Sequence, residues 1–304
     1  MKKHIITLTL FFAVVSMQGQ SLSFLNITSD AGMSAIGGAS VAMKSDYAAI
    51  YNNPAAMSLS TRTLAVGASY GMWQPKVNNN TIMSFSGYYK IGERLGIGLG
   101  GRYFTFPEYN ITDNTGYVKG TYAPKDYSVD LGVSYSIVSN LSVGATIRYI
   151  SSDLGGTKAP NAIVADVAIM YKIKELNIAL AATNLGTKIN YGSADYSLPS
   201  MIKGGVSYCR DLSQKHNVTL SVEGDYLLYS SAFMAGLGVK YSYNDMISIG
   251  AGYHYGADDK AVPSCASVGM GFKLYGIAVN GSYLLPIGND ILKNTIMITL
   301  SYEL

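Results

Sequence analysis

Apolar residues alternate with small or polar residues along most of this chain, beginning at about residue 63. In one segment every odd position is apolar: Tyr127, Val129, Leu131, Val133, Tyr135 and Ile137. The even positions between them are small or polar: Ser128, Asp130, Gly132, Ser134 and Ser136. A period of two is the period of a β-strand, because successive side chains point to opposite faces of a sheet. The pattern therefore predicts a chain built of strands.

Fourteen segments carry the alternation. They lie at about 63–73, 80–91, 95–105, 125–137, 141–151, 161–173, 175–184, 200–210, 217–228, 231–243, 246–256, 262–274, 275–284 and 293–304. Short connections alternate with mostly longer ones, as they do between the periplasmic turns and outward loops of outer-membrane barrels. The exception is the short connection at Tyr229 and Ser230. The even strand count predicts that both termini are periplasmic.

The composition separates a membrane barrel from a soluble β protein. Charged residues make up 13% of the chain, against about 25% in ordinary soluble domains. A soluble sandwich would carry more charge on its outer face, and no repeat of constant period indicates a propeller. The 33 glycines and 25 tyrosines fit a small-residue interior and aromatic girdles. We therefore predict an all-β fold, a 14-stranded antiparallel transmembrane β-barrel occupying residues 63–304.

Residues 1–20 are predicted to be a secretory signal peptide. Lys2 and Lys3 precede an apolar run that is too short to span a bilayer, and a polar stretch follows it. Removing the two lysines leaves 20 of the 22 basic residues against 19 acidic ones, a net charge of about +1. A net charge this close to zero does not indicate the basic surface that nucleic-acid binding requires. The predicted location is the outer membrane of a Gram-negative cell, in contact with its lipid.

The segment 21–62 lacks strand alternation and is predicted to be a plug inside the barrel. A lumen enclosed by fourteen strands is not readily filled by side chains alone. Asp46 is expected to cap a short helix over residues 48–51, which must end before Pro54 because the residue before proline disfavours helix. The segment also carries a set of small and turn-forming residues at fixed spacing: Gly37, Gly38, Asp46, Asn53, Pro54 and Ala55.

This set of residues resembles the N-terminal signature of the FadL-like outer-membrane superfamily. Within that superfamily, residues 24–27 ahead of residues 35–38 most resemble the PorV/PorQ family of type IX secretion components. The resemblance implies a non-enzymatic accessory that binds secreted cargo or other secretion components for delivery to the cell surface. The alternative that it implies is a FadL-like passive transporter of hydrophobic small molecules, which would hold a hydrophobic ligand between plug and wall.

Two groups of barrel residues are candidates for function. Gly96, Gly98 and Gly100 weaken strand packing and could mark a bend or bulge; FadL-type transporters open laterally through a kink in their third strand. Inward charges could line a permeation path or form ion pairs across the lumen and with the plug: Arg102, Asp130, Arg148, Asp166, Glu223, Asp225 and Lys240.

Motifs that resemble enzyme sites lie within predicted strands. Residues 96–101 match a dinucleotide fingerprint, which requires a helix after the glycines. Residues 67–71 match a nucleophile elbow, which requires a sharp strand-to-helix turn. An enzymatic alternative would need His254 beside a serine and an acid. We therefore expect no enzyme, no cofactor and no metal site, and no disulfide between Cys209 and Cys265, which lie at opposite ends of distant strands.

Two long outward loops are the expected contact surfaces for partner proteins. They span residues 106–124 and 185–199, and the first carries Tyr109, Tyr117 and Tyr122. Tyrosine provides a large amphipathic contact area at low entropic cost, but tyrosines here could equally continue the aromatic girdle.

Overall fold

The computed structural model describes residues 22–155, 159–192, 194–257, 260–288 and 290–304. Fourteen of its strands form the barrel: β1 (Leu64–Trp73), β2 (Asn80–Ile91), β3 (Leu95–Thr105), β6 (Lys125–Val138), β7 (Leu141–Asp153), β8 (Asn161–Ile173), β9 (Leu176–Gly186), β12 (Met201–Ser213), β13 (His216–Leu227), β14 (Ala232–Tyr243), β15 (Ile247–Gly256), β16 (Cys265–Leu274), β17 (Ile277–Pro286) and β18 (Ile296–Glu303). Two small hairpins lie in the long loops: β4 (Tyr109–Thr112) with β5 (Val118–Tyr122), and β10 (Ile189–Asn190) with β11 (Asp195–Tyr196).

The barrel closes because its first strand pairs with its last. Ala65 of β1 lies opposite Glu303 of β18, and every other barrel strand pairs antiparallel with its neighbours. The predicted 14-stranded antiparallel barrel is confirmed. Some strand ends differ from prediction: β12 extends to Ser213, and β16 begins at Cys265 rather than near 262. The two loop hairpins were not predicted, because short irregular segments carry too little alternation.

The alternation along each strand sorts side chains between the outside and the inside of the barrel. In β6, Val129, Leu131 and Val133 are exposed on the outer surface, while Asp130 and Ser134 are buried. An exposed apolar belt around a closed barrel is the pattern of a strand surface that faces lipid. Among the described residues, no helix is long and apolar enough to cross a membrane.

The N-terminal segment, residues 22–62, runs inside the barrel as short helical pieces joined by turns. These are a 3-10 helix at Ser23–Asn26, α1 (Ala31–Ser34), α2 (Ala49–Asn52) and a 3-10 helix at Pro54–Met57. The segment then joins the wall, where the Thr63 N–H donates to the Leu304 carbonyl over 2.8 Å. The predicted signal peptide lies outside the described residues.

The two ends of the described chain lie at opposite ends of the barrel. Leu304 lies at the end of the barrel that carries the short turns. Leu22 instead packs with Trp73, Phe104 and Leu284, which lie near the strand ends that carry the long loops. The N-terminal segment therefore crosses the lumen before β1 begins.

Candidate functional site

Backbone groups of the N-terminal segment bond to side chains that the wall directs into the lumen. The Ala31 N–H donates to Thr299 Oγ1 on β18, and the Gly37 N–H donates to Ser267 Oγ on β16, each over 2.9 Å. The Ser40 and Val41 N–H groups both donate to Glu223 Oε2 over 2.6 Å. Small polar wall residues thus act as hydrogen-bond partners for a buried backbone, which would otherwise be unsatisfied.

The two consecutive glycines of the motif make a turn against the wall. Gly37 and Gly38 have φ values of 69° and 75°, in the left-handed region that favours glycine. A Cβ on Gly37 would lie 2.8 Å from the carbonyl oxygen of Leu237 on β14. Both the backbone conformation and the close approach therefore require glycine at position 37.

Asn53 joins two distant parts of the N-terminal segment. Its Nδ2 donates to the Val41 carbonyl over 2.7 Å, and its Oδ1 accepts from the Ala55 N–H over 2.9 Å. Pro54 begins the second 3-10 helix, where its missing N–H costs nothing. Asn53, Pro54 and Ala55 are all buried. The Asn-Pro-Ala sequence is therefore an internal brace as well as the end of a helix.

Two aspartates organise the helical turns. Asp46 Oδ1 accepts from the Ala48 N–H over 2.9 Å, so it forms a turn just before α2, which begins at Ala49, one residue later than predicted. Asp30, which the sequence reasoning missed, caps α1 by accepting from the Met33 N–H over 2.9 Å. An aspartate at the N-cap, three residues before the N–H group that it accepts from, is the sequence pattern that predicts such a cap.

The third-strand glycines provide space for the N-terminal segment. The ladder from β2 through β3 to β6 keeps its register without a shift from residue 95 to 105, so the pairing contains no bulge at Gly96, Gly98 or Gly100. A Cβ on Gly98 would lie 2.8 Å from Met57 Sδ, and one on Gly100 would meet the Tyr51 hydroxyl. The glycines are explained by close packing against the segment.

An ion cluster lies on the wall of β6 to β9. Arg148 Nε pairs with Asp130, and Arg148 Nη2 lies 2.9 Å from Asp166 Oδ2. Asn184 accepts from Arg148 Nη1 over 2.5 Å and donates its N–H to Asp166 Oδ1 over 2.6 Å. All four residues are buried. Three of the predicted inward charges thus lie together in one cluster. Because they are buried, each charge needs its partner to offset the cost of removing it from water.

A second ion cluster lies on β12 and β13. Lys203 Nζ lies 2.6 Å from Glu223 Oε1 and 3.9 Å from Asp225 Oδ2. The alternation predicts that both carboxylates point inward, but Lys203 was not predicted. Lys203 lies two residues before Gly205, on the same inward face that contacts Val41. Lys240 is separate from this cluster and lines the opening at the turn end.

Arg102 is held by the N-terminal segment instead of by a carboxylate in the described part of the chain. Its guanidinium lies 4.8 Å from the centre of the Tyr51 ring and 5.7 Å from that of Phe24. Its Nη1 donates to the Leu25 carbonyl over 3.3 Å. Cation–π contacts of a desolvated guanidinium stabilise such a packing, so Arg102 anchors residues 24–51 to β3.

The space left between segment and wall is small and polar in the middle of the barrel. A cavity of about 70 Å³ is bordered by both ion clusters and by Arg102 and His254. At the turn end a vestibule of about 530 Å³ opens below α1, between Met33, Met43 and the lysines of the wall. The central cavity is thus unlike the apolar pocket that the transporter alternative predicts.

The loop end of the lumen is closed by packed apolar side chains. Phe24, Leu25 and Ile27 of the N-terminal segment lie here with Ile189 and Leu292 of the loops. All five are buried, Ile189 and Leu292 completely. The described residues therefore form an apolar closure beneath the long loops.

The hairpin of β4 and β5 projects from the loop end with its strands exposed. Tyr109 packs on Tyr122 with ring centres 5.9 Å apart and donates its hydroxyl to the Leu154 carbonyl over 2.9 Å. Toward the tip, Ile111, Tyr117 and Val118 are exposed, Tyr117 by 73%. The base of the hairpin is therefore anchored, and its tip presents apolar surface to solvent.

The enzyme-like motifs lie inside regular strands, residues 67–71 in β1 and residues 96–101 in β3. Nε2 of His254 has no hydrogen bond to a serine or a carboxylate within the described ranges. Cys209 and Cys265 are free and buried. No group of three metal-ligating side chains occurs among the residues that the structure describes.

Comparison with known proteins identifies the family. Residues 16–233 match the family described as "Type IX secretion system protein PorV". The chain belongs to the PorV family. It is therefore an outer-membrane β-barrel of the type associated with type IX secretion. No curated protein sequence matches this PorV-family chain.

Solved structures share the fold at low sequence identity. The Ralstonia pickettii toluene transporter TbuX has 11% identity and a TM-score of 0.61, over 90% of this chain and 97% of that one. The Pseudomonas putida toluene transporter TodX has 13% identity and a TM-score of 0.61, over 89% and 96%. A Pseudomonas aeruginosa FadL homologue has 13% identity and a TM-score of 0.57, over 91% and 98%. These likenesses establish a FadL-like barrel.

Proposed function

We propose that this protein is a non-enzymatic accessory of type IX secretion that binds cargo or other secretion components at its long-loop end. The observation that carries the proposal is the PorV-family match over residues 16–233. By the general rule for outer-membrane barrels, the end with long loops faces outward and the end with short turns faces the periplasm. Partners would then meet the hairpin of β4 and β5 at the cell surface.

Two features of the loop end support a protein-binding role. The hairpin tip holds Ile111, Tyr117 and Val118 in exposed positions, and exposed apolar patches on an anchored element are typical of interaction sites. The second loop, residues 187–200, is fixed at its base because Asn184 Nδ2 donates to the Pro199 carbonyl over 3.2 Å. A pre-organised surface loses less entropy on binding.

The N-terminal segment is proposed to be a plug that keeps the lumen closed while partners bind outside. The apolar closure at the loop end and the two ion clusters leave a central cavity of only about 70 Å³. A protein that delivers cargo by docking has no need for an open pore through its own barrel. The plug also supports the long loops, because Ile189 and Leu292 pack on its apolar side chains.

In-cell photocrosslinking tests the proposal. A photoreactive amino acid is placed at Tyr117 on the hairpin tip, with Tyr275, an exposed tyrosine in a short turn at the opposite end, as the matched site. We expect adducts with secreted proteins or secretion components from position 117 and a different or empty pattern from position 275. The triple variant Ile111→Ser, Tyr117→Ser, Val118→Ser should lower surface delivery about tenfold if the tip supplies a binding hot spot, whereas Tyr275→Ser should leave it unchanged.

Equal adducts from both positions, or normal delivery by the triple variant, would contradict a role for the hairpin. Adducts with proteins unrelated to secretion would contradict the proposed function itself. Folding of each variant is checked by the shift between heated and unheated samples on a denaturing gel.

Passive transport of hydrophobic small molecules is the second candidate, because two similar structures are described as toluene transporters. The charged lining of the central cavity does not favour an apolar ligand there. Toluene influx into liposomes that contain the purified barrel tests this candidate, and influx no faster than in empty liposomes rejects it.

A further inference from the structure

Polar atoms that lack a hydrogen-bond partner in the described part of the chain gather around the central cavity. Six residues that border the cavity carry a buried atom of this kind: Asn26, Ser29, Arg102, Thr183, Asp225 and His254. Two of them belong to the N-terminal segment, and the other four belong to wall strands. Burial removes such an atom from water, which costs free energy unless another partner takes the place of water. These atoms therefore indicate a polar occupant between the segment and the wall.

The chemistry of these atoms determines the kind of occupant. Arg102 Nε can only donate a hydrogen bond, and Oδ1 of the Asp225 carboxylate, whose other oxygen faces Lys203, can only accept one. The hydroxyls of Ser29 and Thr183 can do either. A metal cation could not accept from Arg102, and a simple anion could not donate to Asp225. Water does both, so it satisfies this mixture of donors and acceptors.

The size and the lining of the cavity fit a small group of water molecules. The cavity has a volume of about 70 Å³, and one water molecule needs about 10–15 Å³. Charged side chains of both ion clusters border it, among them Asp166 and Lys203, whereas cavities that stay dry are lined by apolar side chains. The cavity thus provides both the room and the polar partners that buried water requires.

The surroundings of Arg102 show what such water would do. The guanidinium carries five N–H donors; its Nη1 donates to the Leu25 carbonyl, and its Nε has no partner in the described ranges. Asp166 and Asp225, which belong to different ion clusters, border the same cavity. Water molecules bridge polar groups that are too far apart for a direct hydrogen bond. A bridged network would therefore link the guanidinium to both clusters.

We propose that the central cavity binds a cluster of ordered water molecules, which joins Arg102 and the N-terminal segment to the two ion clusters of the wall. The middle of the segment is then held by water-mediated contacts, whereas its loop end is held by dry apolar packing. The proposal is independent of the partner proteins at the loop end.

Hydroxyl-radical labelling by short X-ray pulses tests the site in the intact protein in detergent micelles. The pulse converts water into hydroxyl radicals, which oxidise the side chains that lie next to a water molecule, even a buried one. Met201 and Met234 border the cavity and are 4% and 3% exposed. The matched control is Met297, which is also 3% exposed but lies in the apolar cluster at the loop end. We expect Met201 and Met234 to be oxidised several times faster than Met297, as measured by mass spectrometry of peptides.

The variant Thr183→Val gives a second test, because its effect has opposite signs in a wet and in a dry cavity. Valine has nearly the shape of threonine, so the main change is the loss of the hydroxyl. If that hydroxyl bonds to water, the variant should unfold at a lower urea concentration than the unaltered protein. If the cavity is dry, the variant removes an unsatisfied group and should unfold at a higher concentration. Thr112→Val, at an exposed position of the hairpin, should leave the urea midpoint unchanged.

Equal oxidation rates at the three methionines would overturn the proposal, and so would a higher urea midpoint for Thr183→Val. A urea midpoint of the unaltered protein that falls when choline replaces sodium at constant ionic strength would also overturn it, since that result assigns the cavity to a metal cation. The labelling uses the unaltered protein, so it decides the question even if the variant does not fold.

Discussion

Gly37 lies where the N-terminal segment turns between two strands of the wall. Its φ of 69° costs an ordinary residue about 1–2 kcal/mol, and its Cα faces the backbone carbonyls of Leu237 and Tyr253. Backbone cannot rotate away as a side chain can. At Gly37 a larger residue would therefore meet two costs, the strained backbone conformation and the clash with the wall. At an exposed glycine with positive φ, only the conformational cost applies.

Replacing Gly37 by alanine should lower the free energy of unfolding by more than the conformational cost of about 1–2 kcal/mol. The comparison is Gly192→Ala, because Gly192 also has a positive φ, 99°, but nothing lies within 4 Å of its would-be Cβ. Urea unfolding in detergent micelles, followed by tryptophan fluorescence of Trp73, measures both. Equal losses for the two variants would contradict a close approach at Gly37.

At the element scale, alternation predicted which charges face the lumen but not how they pair. Asp130 and Arg148 lie directly opposite on β6 and β7, a relation that follows once the turn between them is known. Asp166 and Asn184 complete the cluster, and Asn184 lies in a bulge on β9. The pattern of apolar residues does not predict a bulge. The glycines of β3 show the same limit of a local pattern. Glycines in a strand are typical of a bend or bulge, but the pattern does not predict that these glycines pack against the N-terminal segment, which lies far away in sequence.

The Arg148 cluster predicts a large and asymmetric response to substitution. Arg148→Met leaves Asp130 and Asp166 buried without their cation and should destabilise the barrel by about 3–5 kcal/mol. Adding Asp130→Asn and Asp166→Asn should restore part of that loss, because the uncompensated charges are removed. Urea unfolding measures the three forms, with Arg210→Met, an exposed arginine on β12, as the control. A triple variant less stable than Arg148→Met alone would contradict this account.

For the whole molecule, the sequence predicted barrel, strand number and family from local pattern, whereas the path of the N-terminal segment could not be predicted. That path depends on contacts between residues more than two hundred positions apart, such as Ala31 with Thr299. The sequence alone predicts a small-residue interior but not what fills it. Gly144, Gly205 and Gly236 lie against Ala55, Val41 and Gly37 of the N-terminal segment. The inward residues of the wall are therefore small because the N-terminal segment packs directly against them. Wall and segment are one packed unit.

This occupancy predicts the electrical behaviour of the barrel. The intact protein in a planar bilayer should carry almost no ion current, because the apolar closure around Phe24 and the ion clusters block the lumen. Deleting residues 22–60 should open steady single channels, since fourteen strands without a filling segment enclose a water-accessible lumen. Deleting residues 113–117 at the hairpin tip shortens the chain without touching the lumen, and its current should match that of the intact protein. Steady channels in the intact protein would mean that the N-terminal segment leaves the lumen readily, and the packing described here would then not be what holds it closed.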